Sequence, residues 1–262
     1  MPICIECSYP VSNLFTVYSK ADDHSLGDGV SLTKCPCCKR VADKYVEHDF
    51  VMLFIDLILM KPQVYRHLLF NRLTPASLSG FHPSINKLAI LLLLFDAYLI
   101  WARIEKTWTS SMSPLMNRSI IEQYIFFLTL STVSTLLHHI SVRLLVRVLL
   151  PSDATTSEDR GNRISAALLI SSFAKFFTIV TMIWDYDVPI AAMWLGWAVL
   201  LNNVVALTSV LGCGALRASI LASAGAFIRW CVGEIMLGAM GLGKESGPVA
   251  DLISLFSLAI NG

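Results

Sequence analysis

A chain of 262 residues with 55% hydrophobic and only 15% charged side chains cannot dress a water-facing surface, because soluble domains carry roughly 25% charged residues. Its net charge of +1 also excludes nucleic acid as a bulk partner, since that needs a strongly basic face. The fold class that remains is a mainly α, polytopic membrane bundle of about five spans.

Residues 1–49 form a polar head holding five of the seven cysteines, with turn formers at Ser8, Pro10, Asn13, Gly27, Asp28 and Gly29. Within it, "SKADDHSLGDG" (19–29) lacks periodicity and reads as a solvated loop, while "VSLTKCPCC" and "RVADKYVEHD" are short enough for β-hairpin arms. The pair Cys4-x-x-Cys7 is followed by Cys35-Pro36-Cys37-Cys38. Only the Cys35–Cys38 spacing repeats the first pair, and two such pairs can each turn tightly and place two thiolates on one ion. The expected ligands are therefore Cys4, Cys7, Cys35 and Cys38, with Cys37 spare and structural zinc as the cofactor. A redox dithiol or an iron–sulfur cluster are the alternatives. Four thiolates leave no open coordination position, so the zinc would fold a small zinc-ribbon-like β domain and perform no catalysis.

Residues 50–60, "FVMLFIDLILM", are too few to cross a bilayer, which takes about 20 apolar residues. An interfacial or re-entrant placement is expected for 50–87. In "KPQVYRHLLFNRL" (61–73) apolar and basic residues alternate, so Lys61, Arg66 and Arg72 are candidates for contact with anionic head groups, a solvated linker helix being the alternative. Five spans are then expected within a bundle at 88–242, at 88–102, 120–140, 164–184, 188–211 and 218–240. The last carries small residues at four-residue spacing (Ala218, Ala222, Ala226), a packing face. The segment 243–262 contains a short apolar stretch, 249–260, expected along the membrane surface.

No charged n-region followed by an apolar h-region opens the chain, so an internal span is expected to serve as its membrane address. Loops on the side of 61–87 hold nine Lys and Arg against four on the other, which places that side, and the head with it, in the cytosol. A reducing cytosol also keeps thiols available to a metal.

Polar groups inside spans are expensive and mark function or interhelical pairing. They are Asp96, Lys175, Asn202, Asn203, Arg229 and Glu234. Asp96 and Lys175 are expected to pair across helices, and His138 and His139 to sit at the membrane interface. The stretch "GLGKESG" (241–247) lacks the G-x-x-x-x-G-K-[ST] pattern, and neither a nucleophile elbow nor HExxH occurs. The residues thus suggest no catalysis and no catalytic group.

"CIEC" (4–7), "CPCC" (35–38), "VADKYVEHD" (41–49) and "KPQVYRHLLFNR" (61–72) together resemble the Arv family of endoplasmic-reticulum membrane proteins. The likeness is specific over about the first 73 residues, with an extra cysteine, Cys37, and a long insert between the pairs as departures. It implies a role in sterol homeostasis, meaning sterol transport between membranes, together with sphingolipid metabolism and GPI-anchor assembly. Implied partners are membrane lipids (sterol, sphingolipids, GPI intermediates) and GPI-biosynthetic enzymes, in the endoplasmic reticulum with the Golgi as a second address. A membrane-embedded lipid-modifying enzyme, or a subunit of a GPI-biosynthetic transferase complex, is the alternative. The resemblance gives the Asp43–Asp49 run no chemical role.

Overall fold

A computed structural model of the chain describes residues 1–18, 29–73, 81–107, 115–150, 157–179 and 189–242. Most of the 19–29 loop, the end of the 164–184 span, most of 241–247 and the 249–260 tail lie outside the described residues.

The head has one hairpin. Strand β1 (Phe15–Tyr18) pairs antiparallel with β2 (Gly29–Leu32), Phe15 opposite Leu32. The expected second arm, 40–49, is different: Val41 makes a single bridge to Lys34, and Lys44–Val46 form a 3-10 turn. The reason is Asp43, whose carboxylate accepts from the Tyr45 backbone N–H at 3.0 Å and so caps a turn where a strand would have to continue.

Helix α1 (Phe50–Ile58) buries Leu53, Asp56 and Leu57 and leaves Phe50, Val51, Met52, Phe54, Ile55 and Ile58 exposed. A short helix apolar on its open face suits the bilayer interface. It ends in a Schellman turn: Met60 adopts φ +56°, Lys61 N–H donates to Asp56 O at 3.1 Å, and Met60 N–H to Leu57 O. Pro62, at the first helical position, then starts α2 (Pro62–Arg66), which runs into a π-helical stretch, His67–Arg72.

Four described helices are long and apolar enough to cross a membrane. They are α3 (Pro83–Thr107), α4 (Ile120–Leu149), α6 (Pro189–Leu211) and α7 (Ala215–Ala239). Helices α3, α4 and α7 outrun the expected spans because flanking polar residues continue the helices: α4, for example, starts at its Ser119 cap and runs on past residue 140 through Ser141, Arg143 and Arg147. The remaining expected span is divided into α5 (Ser157–Ser171) and a 3-10 stretch, Ser172–Phe177. There the Ser171 and Ser172 hydroxyls both bond back to Leu168 O, competing with the helical ladder.

Helices α4 and α7 share the largest helix–helix contact. Ala218 and Ala222 are fully buried against Val142 and Val146, so the small-residue face packs as its spacing indicated. Gly225 is the tightest point of this seam: a Cβ there would fall 2.6 Å from Val142 Cγ2 and 2.9 Å from the His138 ring. Helices α1 and α2 lie against α5 and α6, in a core with Val64, Tyr65, Leu69, Ala167, Ile170 and Ala206.

Gly225→Val is expected to destabilise the protein in detergent by about 1–3 kcal/mol through overpacking. Gly238→Ala, with nothing within 4 Å, is expected to be neutral or stabilising by about 0.5–1 kcal/mol. Thermal melts followed by fluorescence check both.

Candidate functional site

The two cysteine pairs fold as twin knuckles. In the first, Ser8 N–H returns to Cys4 O at 2.9 Å and Cys4 N–H donates to Tyr9 O. In the second, Lys39 N–H returns to Cys35 O at 3.0 Å and Cys35 N–H donates to Arg40 O at 2.8 Å. Four residues after each leading cysteine, Ser8 and Lys39 both take φ +62°, the left-handed conformation that closes the loop. The facing knuckles gather Cys4, Cys7, Cys35 and Cys38, with all four sulfurs within 4.8 Å of one another.

Cys4 and Cys38 sulfurs lie 3.7 Å apart, and those of Cys7 and Cys35 3.6 Å. A tetrahedral ion with sulfur at about 2.3 Å requires sulfur–sulfur edges of about 3.8 Å, whereas a disulfide requires about 2.05 Å. The residues therefore fit a four-thiolate metal centre. The Cys38 N–H, and secondarily that of Cys37, point at Cys35 and lower its thiol pKa to about 7. Burial pushes Cys4 up to about 12, so Cys4 becomes a ligand only when a cation compensates its charge. Cys37 is exposed and outside the cluster.

A second polar network fixes this head to the bundle. Asp43 is fully buried, and its Oδ2 accepts from Asn71 Nδ2 at 2.6 Å and contacts His67 Nδ1 at 2.7 Å. Asn71 also donates to Ile3 O at 3.0 Å and accepts from Ile3 N–H at 2.9 Å, beside the first ligand. Arg66 donates to Ile5 O and Glu6 O, inside the Cys4–Cys7 loop, at 2.8 and 2.7 Å. Tyr45 donates to Asp56 at 2.7 Å, and Lys61 meets the same carboxylate at 2.7 Å. Burial opposes ionisation of Asp56, but the Lys61 ammonium and the Tyr45 hydroxyl outweigh it and hold the carboxyl below the usual range. Tyr65 carries the connection inward by donating to Asn202 on α6 at 2.8 Å.

Inside the bundle, Asp96 on α3 accepts from Lys175 at 2.8 Å and from Arg229 on α7 at 2.7 Å. Arg229 also donates to Thr135 on α4 at 3.0 Å. Three span charges noted in the sequence thus meet at one point. They line a cavity of about 620 Å³ together with His138, His139, Asn203, Trp230 and Glu234, and with apolar residues such as Leu92, Leu99 and Leu130. That volume lies within the roughly 300–1,000 Å³ of small-ligand pockets.

The remaining candidates fall as follows. Asn202 is a structural partner of Tyr65 and sits outside the cavity lining. Glu234 lines the cavity. Arg66 is spent on the head, Lys61 pairs with Asp56 while remaining half exposed, and Arg72 is exposed. Of the three basic residues expected at lipid head groups, Arg72 forms no side-chain hydrogen bond or ion pair among the described residues. His138 is buried and lines the cavity wall, and α4 continues eleven residues beyond it, to Leu149. Sequence reasoning missed Asp43, His67 and Asn71. Their signal was a polar pair four residues apart, His67 and Asn71, on a helix whose other inward positions are apolar.

The Arv1-like family profile matches residues 3–207, well beyond the first 73 residues that carry the resemblance in sequence. Among curated proteins, the chain is similar to Protein arv1 of Schizosaccharomyces pombe, 37% identical over 214 residues, 80% of this chain and 75% of that protein. It is similar to the Protein arv1 homolog of Dictyostelium discoideum, 34% identical over 78% of this chain and 82% of that protein. Protein ARV1 of Candida albicans is 32% identical over 71% of each chain. No solved structure matches.

Cys38→Ser is expected to abolish bound metal, measured by elemental analysis of the purified chain, while Cys37→Ser leaves it unchanged. Asp43→Ala should cost about 1–3 kcal/mol by orphaning buried donors, seen as faster hydrogen exchange across 62–72 with the metal retained. Asp56 is held below its ordinary value of about 4, so its contribution is complete above that pH and is lost as pH falls through the depressed value. Asp56→Asn should flatten this acid limb of a pH–stability curve.

Proposed function

The chain belongs to the Arv1-like family, and from that premise we propose that it is a lipid-handling protein of the endoplasmic-reticulum membrane. In this reading it serves sterol homeostasis by moving sterol between membranes, and through lipid supply it affects sphingolipid metabolism and GPI-anchor assembly. The observation that carries the reading is the cavity enclosed by α3, α4, α6, α7 and the 3-10 stretch, apolar along most of its wall and polar around Asp96, Lys175 and Arg229. An amphiphile is the ligand such a lining suits.

The head supports this role mechanically. Its four thiolates suit zinc, which supplies the tetrahedral cross-link and, with its shell closed by sulfur, no catalysis. Arg66, Asn71 and Asp43 hold the knuckles against α2, and Tyr65 holds α2 against α6. The positive loops favour a cytosolic head, which would set the open apolar face of α1 against the cytosolic leaflet. A binder is favoured over an enzyme because Asp96, the buried carboxylate of the cavity, is engaged by two cations and is not free to act as a base.

Cys35→Ala is expected to unfold the head and to abolish rescue of sterol distribution in cells lacking the family protein. Rescue at normal abundance by protein without zinc would sink the idea that zinc folds a functional head. Photo-crosslinking in native membranes with sterol and GPI-intermediate probes tests the lipid reading itself: labelling mapped to cavity residues supports it, and labelling confined to the outer helix faces counts against it.

A further inference from the structure

We propose that the cavity seats the head group of an anionic phosphodiester lipid on Lys175 and Arg229, an inference that rests on reading the cavity as a lipid site. Its lining carries Arg143, Lys175 and Arg229 beside the carboxylates Asp96 and Glu234, together with Arg103, which has a partner of its own. Asp96 is shared by Lys175 and Arg229 through one oxygen, so the central cluster retains a positive charge. An unbalanced charge at membrane depth is expensive and calls for a counter-charge. Glu234 does not provide it at that point: five residues beyond Arg229, it lies about 7.5 Å along the helix and about 140° around it.

The hydrogen-bond inventory points the same way. Lys175 has three N–H donors and spends one on Asp96, while Arg229 has five and spends one each on Asp96 and Thr135. Trp230 Nε1, a donor only, is buried at the cavity without a partner among the described residues. What Lys175 and Arg229 lack at Asp96 is further acceptors and a second negative charge. A phosphodiester supplies both, with one net negative charge, several oxygen acceptors and no donor. A sterol offers a single hydroxyl and leaves the charge in place.

The source is a lipid because the rest of the wall is apolar, through Leu92, Leu99, Leu130 and Val199. The cavity also opens sideways. Leu136 and Ile140 line it and begin an exposed stripe of α4 that continues through Leu144 to Val148 on the outer surface. Acyl chains can leave by that route while the head group stays among the cations.

The test uses full-length protein in nanodiscs, with photoreactive phosphatidylglycerol, phosphatidylcholine and sterol probes and mass-spectrometric mapping of labelled residues. Phosphatidylglycerol is expected to label the cavity in preference to the others, and Arg229→Gln to cut that labelling by about tenfold. That variant leaves Asp96 and Lys175 as a balanced pair, so its melting temperature should stay near that of the parent. Trp230→Phe removes one donor and should lower labelling by roughly threefold, which keeps the test decisive if Arg229→Gln fails to fold. Sterol labelling of the cavity that ignores both substitutions overturns the phosphodiester assignment and leaves the lipid-site reading standing. Equal labelling by phosphatidylcholine, or displacement by excess glycerol phosphate but not by unlabelled lipid, also overturns the assignment. Absence of cavity labelling by every probe overturns both readings.

Discussion

One buried carboxylate holds the two halves of this protein in register. Asp43 is sealed from solvent, caps the turn that follows the second cysteine knuckle, and receives His67 and Asn71 from the π-helical stretch that continues α2. A buried carboxylate left without such partners would cost several kcal/mol. The head therefore has one favourable seat on α2. Because Asn71 also reads the backbone of Ile3, and Arg66 that of Ile5 and Glu6, the same seat aligns the first knuckle with the second. Metal site and docking site are one construction: the cysteines close the knuckles on each other, and α2 closes on both.

The bundle repeats this logic at greater depth. Asp96 organises Lys175 and Arg229 from two other segments, as Asp43 organises His67 and Asn71. The difference is in what is left over. At Asp43 the carboxylate is held by the Tyr45 N–H, His67 and Asn71, with His67 Nε2 and Arg66 Nε buried without a partner among the described residues, and the result is a joint between head and helix. At Asp96 the cations retain unused donors beside an open volume, which is the signature of a binding site more than of a joint. Tyr65–Asn202 lies between the two, so the polar contacts run from the knuckles through α2 to a helix that forms part of the cavity.

Much of this was legible in the sequence, for identifiable reasons. Cysteine spacing indicates a four-ligand centre because knuckle geometry is local: five or six residues determine it. Apolar runs indicate spans because a bilayer sets a length. Charges inside those runs flag Asp96, Lys175 and Arg229 because lipid makes them costly, and pairing follows from charge alone. The head–bundle joint was not legible, since it depends on which polar residues face each other across 24 and 28 positions of chain, His67 and Asn71 to Asp43. Nor did the alternation of basic and apolar residues in 61–73 reveal that Arg66 donates to backbone carbonyls of the head, because that contact spans 60 and 61 positions of chain and leaves no local pattern. The division of α5 from its 3-10 continuation was hidden for a similar reason: paired serines are compatible with a helix until their hydroxyls have a carbonyl to compete for.

The twin knuckles give the segment between them an unusual freedom. Each knuckle is complete within its own few residues, down to its left-handed closing residue, Ser8 or Lys39. The chain from Cys7 to Cys35 enters the site only as a tether whose ends must meet. The entropy of closing such a tether rises slowly, by about 0.6 kcal/mol for each doubling of its length. Tether length and metal geometry are thus nearly independent variables. A change in the length of the stretch between β1 and β2 would therefore leave the thiolate cluster, the joint at Asp43 and the cavity with the same dimensions.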